Sequence, residues 1–246
     1  MEDWLMEDRL MEDWRELASA TTDSGERLVL RRRAGIVELR CNGWELMTNR
    51  AHHSEEALAI LACEQMAGRC IADAPNRSDA GRPCVLLGGL GLGYTLRAAL
   101  DRLPVSARVI VAELLPELIA WNRGILGPFA GHALSDPRVS VACTDVLALL
   151  RSAEPASFDA ILLDTDNGPD AVMLAANALL YLPDGLRVVC QALRPHGTLA
   201  VWSADRSPRF ERNLHDAGLQ WRAHDVPARG GPDDPLHTVY VAWQAA

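Results

Sequence analysis

The sequence predicts an α/β fold in which a mostly parallel sheet, covered by helices on both faces, ends in an antiparallel hairpin and is preceded by a small antiparallel β unit. Three observations carry this. Short apolar strands alternate with helical patterns from residue 84 to residue 166. A glycine-rich turn, Gly88-Gly89-Leu90-Gly91-Leu92-Gly93, follows the first of those strands. The last two strands, near 219–226 and 237–242, are joined by a Gly/Pro-rich loop and can pair as a hairpin.

A chain of 246 residues is expected to form one large domain with a small appendage, here divided as 1–52 and 53–246. Met-Glu-Asp occurs three times near the N-terminus, and Met6, Leu10, Trp14 and Leu17 fall at helical spacing, so an amphipathic helix is expected there. From residue 27 to 48 the pattern changes to the runs RLVLRRR, IVELRC and WELMT, separated by Ala-Gly and Asn-Gly turn signals. A helix follows, with Ser54 as its N-cap and Ala57, Leu58, Ile60, Leu61 and Met66 at the 3.6-residue period.

The alternating region then reads as strand CVLLGG, helix YTLRAALDRL, strand RVIVAEL, helix PELIAWNRGIL, strand VSVACTD, a short helix and strand FDAILLDTD. Helices around 171–182 and 185–193, a strand TLAVWSA and a helix around 208–217 complete the pattern before the hairpin.

Composition excludes several classes. With 49% hydrophobic and 23% charged residues, the balance is that of an ordinary globular protein. A net charge of -9 opposes binding to a phosphate backbone, so nucleic acid is not an expected partner. All 24 basic residues are Arg, which removes Schiff-base, pyridoxal-anchoring and P-loop lysine chemistry. The six cysteines lack metal-ligand spacing and read as reduced, mostly buried thiols, and no metal site is expected. The acidic start and the absence of a long apolar run point to the cytoplasm, with no membrane partner.

Gly88, Gly89, Gly91 and Gly93 lie where the backbone must turn sharply and approach a ligand closely. Their spacing departs from the dinucleotide fingerprint, which wants a small residue at Tyr94. Glu113 ends the second strand, placed to accept hydrogen bonds from two ribose hydroxyls, and Asp145 ends the third, placed to meet an adenine amino group. Strand-end acids also serve as helix caps, so the assignment rests on the three elements together.

With these elements and FDAILLDTDNGPDA in place, the chain from about residue 27 onward resembles the spermidine-synthase-like family, whose members share the Rossmann-like class I methyltransferase fold. The resemblance implies that Gly89, Gly91, Glu113 and Asp145 bind a sulfonium nucleoside, either S-adenosylmethionine or its decarboxylated form. It further implies that Asp164 receives a proton from an attacking amine, and that the protein is a homodimer acting on a small molecule. Glu55, His53, Asp166 and Asn167 are the candidates for holding that acceptor.

There are departures. Leu92 stands where aminopropyltransferases carry an acid in a Gly-Gly-Asp-Gly-Gly turn, and His53-Ser54-Glu55 replaces a Tyr-His-Glu triplet. Because Leu92 removes an anchor for a cationic aminopropyl group, the expectation is methyl transfer from S-adenosylmethionine to a nitrogen. Aminopropyl transfer to a diamine is the alternative, and a non-catalytic nucleoside-binding scaffold the third reading. Trp202 and Ser203 read as core, and His237 is left unassigned.

Overall fold

The computed structural model describes residues 13–22, 25–70, 82–165, 167–170 and 177–244. The chain divides into two compact units, Met1–His52 and His53–Ala246.

The first unit is a four-stranded antiparallel sheet in the order β1-β2-β3-β4, formed by β1 (Arg15–Thr21), β2 (Arg27–Arg33), β3 (Ile36–Cys41) and β4 (Trp44–Thr48). Cross-strand neighbours share a face, so Leu28, Leu30, Val37 and Leu39, all fully buried, form one apolar side. On the other side Glu38 is nearly inaccessible and receives bidentate hydrogen bonds from Arg31 and a further one from Arg40. Burial alone would raise its carboxyl; the two guanidiniums outweigh it and hold Glu38 below the usual carboxylate range.

The amphipathic helix expected at the start is corrected here. Residues 15–21 are a strand paired with β2, and Trp14 lies against Arg31 and Arg33, whose guanidinium carbons stand 4.2 and 4.7 Å from its ring centroid. Ladder hydrogen bonds and these cation–π contacts override a short, weak 3.6-residue pattern. Residues 1–12 of the expected helix lie outside the described residues.

The second unit is the predicted α/β sheet. Its seven strands run in the order β10-β11-β9-β8-β5-β6-β7, comprising β5 (Cys84–Gly88), β6 (Arg108–Glu113), β7 (Val139–Cys143), β8 (Phe158–Leu163), β9 (Leu193–Ser203), β10 (Leu219–Pro227) and β11 (Leu236–Gln244). β5 to β9 are parallel, whereas β11 pairs antiparallel with β9 and β10 with β11. β5 and β8 are buried along their whole length, as a central parallel strand must be.

Alternate residues feed two cores. Val85, Leu87 and Leu162 pack with Leu58 and Ala62 of α1 (His53–Cys70) and Leu96 and Leu100 of α2 (Tyr94–Arg102). Leu86, Ile161 and Leu163 pack on the opposite face with Val146 and Leu150 of α4 (Val146–Ser152), Val189 of α5 (Pro183–Ala192) and Phe210 of α6 (Pro208–Asp216). A further helix, α3 (Pro116–Arg123), connects β6 to β7. The order reverses at β5, which sits between β8 and β6, so the crevice at the carboxyl ends of these strands is a switch point of the kind that binds ligands.

Two expected elements differ. Of the helix around 171–182, the described part is a 3₁₀ turn, Asn177–Tyr181, that ends before Pro183 opens α5. The strand expected at 198 begins at Leu193, immediately after α5. Cys143 is exposed, contrary to the reading of the cysteines as mostly buried, because it ends the edge strand β7.

At the opposite end of the sheet, Asp159 accepts hydrogen bonds from the Cys84 amide at 2.8 Å and from Arg194 at 2.7 Å while only 5% exposed. Asp159→Ala leaves both donors without this acceptor, and a loss of about 2–4 kcal/mol is expected in urea unfolding. Among the described residues no helix is long and apolar enough to cross a membrane.

Candidate active site

The turn after β5 is shaped by what lies beside it. Gly89 has φ +87°, and a Cβ there would stand 2.1 Å from the Asp164 carbonyl oxygen. The Asp164 amide donates to the Gly88 carbonyl and the Gly89 amide to the Ala112 carbonyl, so the tips of β8, β5 and β6 are tied side by side. Gly91, at φ +52°, has its carbonyl held by Asn122 Nδ2 at 2.9 Å. Gly93, at φ +89°, caps α2, and Gly88 packs on Val146.

Glu113 ends β6 and is 6% exposed. Its Oε2 accepts from the Leu90 amide in the glycine turn and its Oε1 from the Leu115 amide, both at 2.8 Å. The carboxylate is thereby fixed in plane, with lone pairs left on each oxygen. Burial raises its pKa, the backbone amides oppose that, and the charge of Asp164 raises it further.

Asp145 Oδ1 accepts from the Ala148 amide at 2.8 Å and caps α4. The capping role weighed against the adenine role is therefore present, and among the described residues Oδ2 carries no hydrogen bond.

Asp164 follows β8. The residue keeps some surface, but its carboxyl lies inside, with Oδ2 accepting from Thr95 Oγ1 at 2.5 Å. Burial pushes the carboxyl up to about 6, against the Thr95 hydrogen bond. Glu55, in the first turn of α1, is raised well above its ordinary value by burial first, then by the charges of Asp164 and Glu56. Tyr94, at the start of α2, is pushed up to about 12 by burial and the same two glutamates.

Glu55, Asp164 and Glu113, distant in sequence, thus share one neighbourhood with Asp164 electrostatically linked to both others. Among the described residues no Arg pairs with any of the three, and no group of His, Cys, Asp or Glu is arranged to hold a metal ion. Such a cluster is costly empty and complementary to a cation.

Neither His53 nor Asn167 is linked to this cluster by a hydrogen bond or a charge interaction among the described residues. His53 is exposed; its amide donates to the Ala228 carbonyl and its ring lies against Gly230. Asn167 is exposed on the loop after β8, its carbonyl accepting from the Ala204 amide. Asp166 lies outside the described residues.

Ser54 is corrected. The helix begins one residue earlier, at His53, and the Ser54 hydroxyl accepts from Trp202 Nε1 at 3.0 Å and meets His237 Nδ1 at 2.8 Å. The indole donates to one Ser54 lone pair, and the Ser54–His237 bond takes its direction from the imidazole tautomer; burial lowers the His237 pKa and keeps the ring neutral. This triangle anchors the start of α1, and hence Glu55, to β9 and β11. Ser54→Ala should lower stability by about 1–3 kcal/mol in urea unfolding.

Sequence reading does not reach Thr95 or Asn122, and it leaves Trp202 and His237 outside the site. Thr95 has a local signal, being a small polar residue two positions past Gly93; the contacts of the others are set only by the tertiary fold.

No protein-family model matches the chain. A polyamine aminopropyltransferase of Mycobacterium tuberculosis is 34% identical over 129 residues, a match covering 52% of this chain and 24% of the relative. Putrescine N-methyltransferase 3 of Nicotiana tabacum is 31% identical over 119 residues, covering 48% and 29%. The chain therefore spans less than a third of the length of either relative. Among solved structures, spermidine synthase from Thermotoga maritima superposes with a TM-score of 0.69 over 94% of this chain and 73% of that one, at 18% identity.

These findings bear out the resemblance to the spermidine-synthase-like family and its fold. They overturn methyl transfer as the leading expectation, because polyamine aminopropyltransferases and spermidine synthases predominate among the matches. Leu92 by itself does not set the charge of the site. Its side chain is 3% exposed, and the site's negative charge comes from Glu55, Glu113 and Asp164.

Proposed function

We propose, from the premise that the chain is spermidine-synthase-like, that it transfers an aminopropyl group from decarboxylated S-adenosylmethionine to a diamine. The observation that carries this is the three-carboxyl cluster at the switch point, with Glu113 buried and Glu55 and Asp164 partly so, which has no cationic partner among the described residues. A sulfonium donor and an amine acceptor both supply the positive charge it lacks.

The donor brings an alkyl carbon with a neutral thioether as leaving group. The chain's residues do the rest. Glu113, held by Leu90 and Leu115, would accept from the ribose hydroxyls, and Asp145 Oδ2 would meet the adenine amino group. Glu55 would hold the distal ammonium of the diamine. The amine nitrogen forms its bond to carbon as the carbon–sulfur bond breaks, the electrons leave on sulfur, and the surplus amine proton passes to Asp164. A carboxyl near 6 is matched to that task at neutral pH. Positioning supplies most of the acceleration. The same reading makes the protein a cytoplasmic homodimer, which light scattering would test.

Calorimetry should show tighter binding of decarboxylated S-adenosylmethionine and methylthioadenosine than of S-adenosylmethionine, and mass spectrometry should find an aminopropylated diamine. Methylated amine with no aminopropyl product would overturn the proposal. Glu113→Gln should weaken nucleoside binding roughly 10- to 100-fold, since an amide retains one acceptor oxygen instead of two charged ones.

A further inference from the structure

We infer that Thr95 is a positioning residue for the proton-accepting carboxyl, aiming Asp164 through a hydrogen bond from the first turn of α2; this deepens the transfer reading above and rests on it. Thr95 is 1% exposed and stands two residues after Gly93. Its Oγ1 lies 2.5 Å from Asp164 Oδ2 and 3.3 Å from the Glu55 carbonyl oxygen. Among the described residues no other side chain hydrogen-bonds the Asp164 carboxyl.

A threonine hydroxyl has one proton and two lone pairs. With Asp164 ionised, the short charge-assisted contact takes the proton, which fixes the carboxylate's rotation and leaves Oδ1 for the amine. When the amine proton arrives on Oδ1, Oδ2 goes on accepting from Oγ1, so the carboxyl keeps its orientation. One residue thus satisfies both protonation states, and valine, of the same shape, satisfies neither.

The groups facing Asp164 are Glu55 from α1 and Glu113 from β6, both acidic, with Tyr94 beside Glu55. Burial is what raises the Asp164 carboxyl and the Thr95 hydrogen bond is what opposes it, so its removal should make Asp164 harder to ionise.

The test compares Thr95→Val, Thr95→Ser and wild type in pH profiles of kcat and of thermal stability. Thr95→Val should lower kcat at pH 7 about tenfold or more with little change in the diamine KM, and move the acid limb of the profile up by about one pH unit. Thr95→Ser, which keeps the donor, should restore the wild-type limb. In an Asp164→Asn background Thr95→Val should shift stability equally at all pH values. An unmoved limb in Thr95→Val, or a Ser variant behaving like Val, would overturn the inference. Thr95→Ala replaces Val if that variant does not fold. If wild type shows no aminopropyl transfer, the functional reading fails, while the stability profiles still decide whether Thr95 governs Asp164.

Discussion

Asp164→Asn is expected to lower aminopropyl transfer by 10²- to 10⁴-fold while making the unliganded protein more stable at pH 7.5. The two effects have one cause. Burial raises the Asp164 carboxyl from its ordinary 3.8 to about 6, so the folded state binds this proton more tightly than the unfolded chain does. Stability from the neutral acid is complete below about pH 4 and is lost as pH rises through 6. At pH 7.5 the ionised group therefore destabilises the fold, by on the order of 3 kcal/mol before allowance for its coupling to Glu55. Asparagine keeps an oxygen to accept from Thr95 and carries no charge. Thermal unfolding from pH 5 to 8 should show wild type weakening relative to the variant. A variant that tracks wild type across this range, or that retains turnover, would remove Asp164 from its role.

Gly89→Ala should be among the most damaging single methyl additions at the described glycines, costing about 4 kcal/mol or more. The added carbon would meet the Asp164 carbonyl oxygen at 2.1 Å and its carbon at 2.9 Å, and both belong to backbone pinned by the Asp164 amide bond to Gly88. Its φ of +87° adds strain. Gly43→Ala is the control: φ is +86°, but nothing lies within 4 Å, so only the conformational cost of about 1 kcal/mol applies. Equal losses in the two variants, measured by urea unfolding, would show that the turn can yield and that the strand tips are not locked together.

At Gly89 the sequence signals a glycine through the close approach of a ligand, yet the neighbouring strand's own backbone already demands one. Asp145 is similar: it was read as an adenine contact with capping as the rival, and it does cap α4. His53 and Glu55 are expected to hold the acceptor, with Ser54 between them as the N-cap. Helical geometry sends them apart, Ser54 to Trp202 and His237, His53 outward against Gly230, and Glu55 into the carboxyl cluster.

By itself the sequence determined the parallel sheet, the order of its strand and helix segments, the glycine turn and the acids that end successive strands, because each is written in short-range period and turn chemistry. The tertiary structure alone decided that residues 15–21 pair as a strand, that Thr95 meets Asp164, and that Glu55, Glu113 and Asp164 share one buried neighbourhood. Charge interaction depends on separation in space and on exclusion of water, and neither is encoded in the spacing of residues 55, 113 and 164 along the chain.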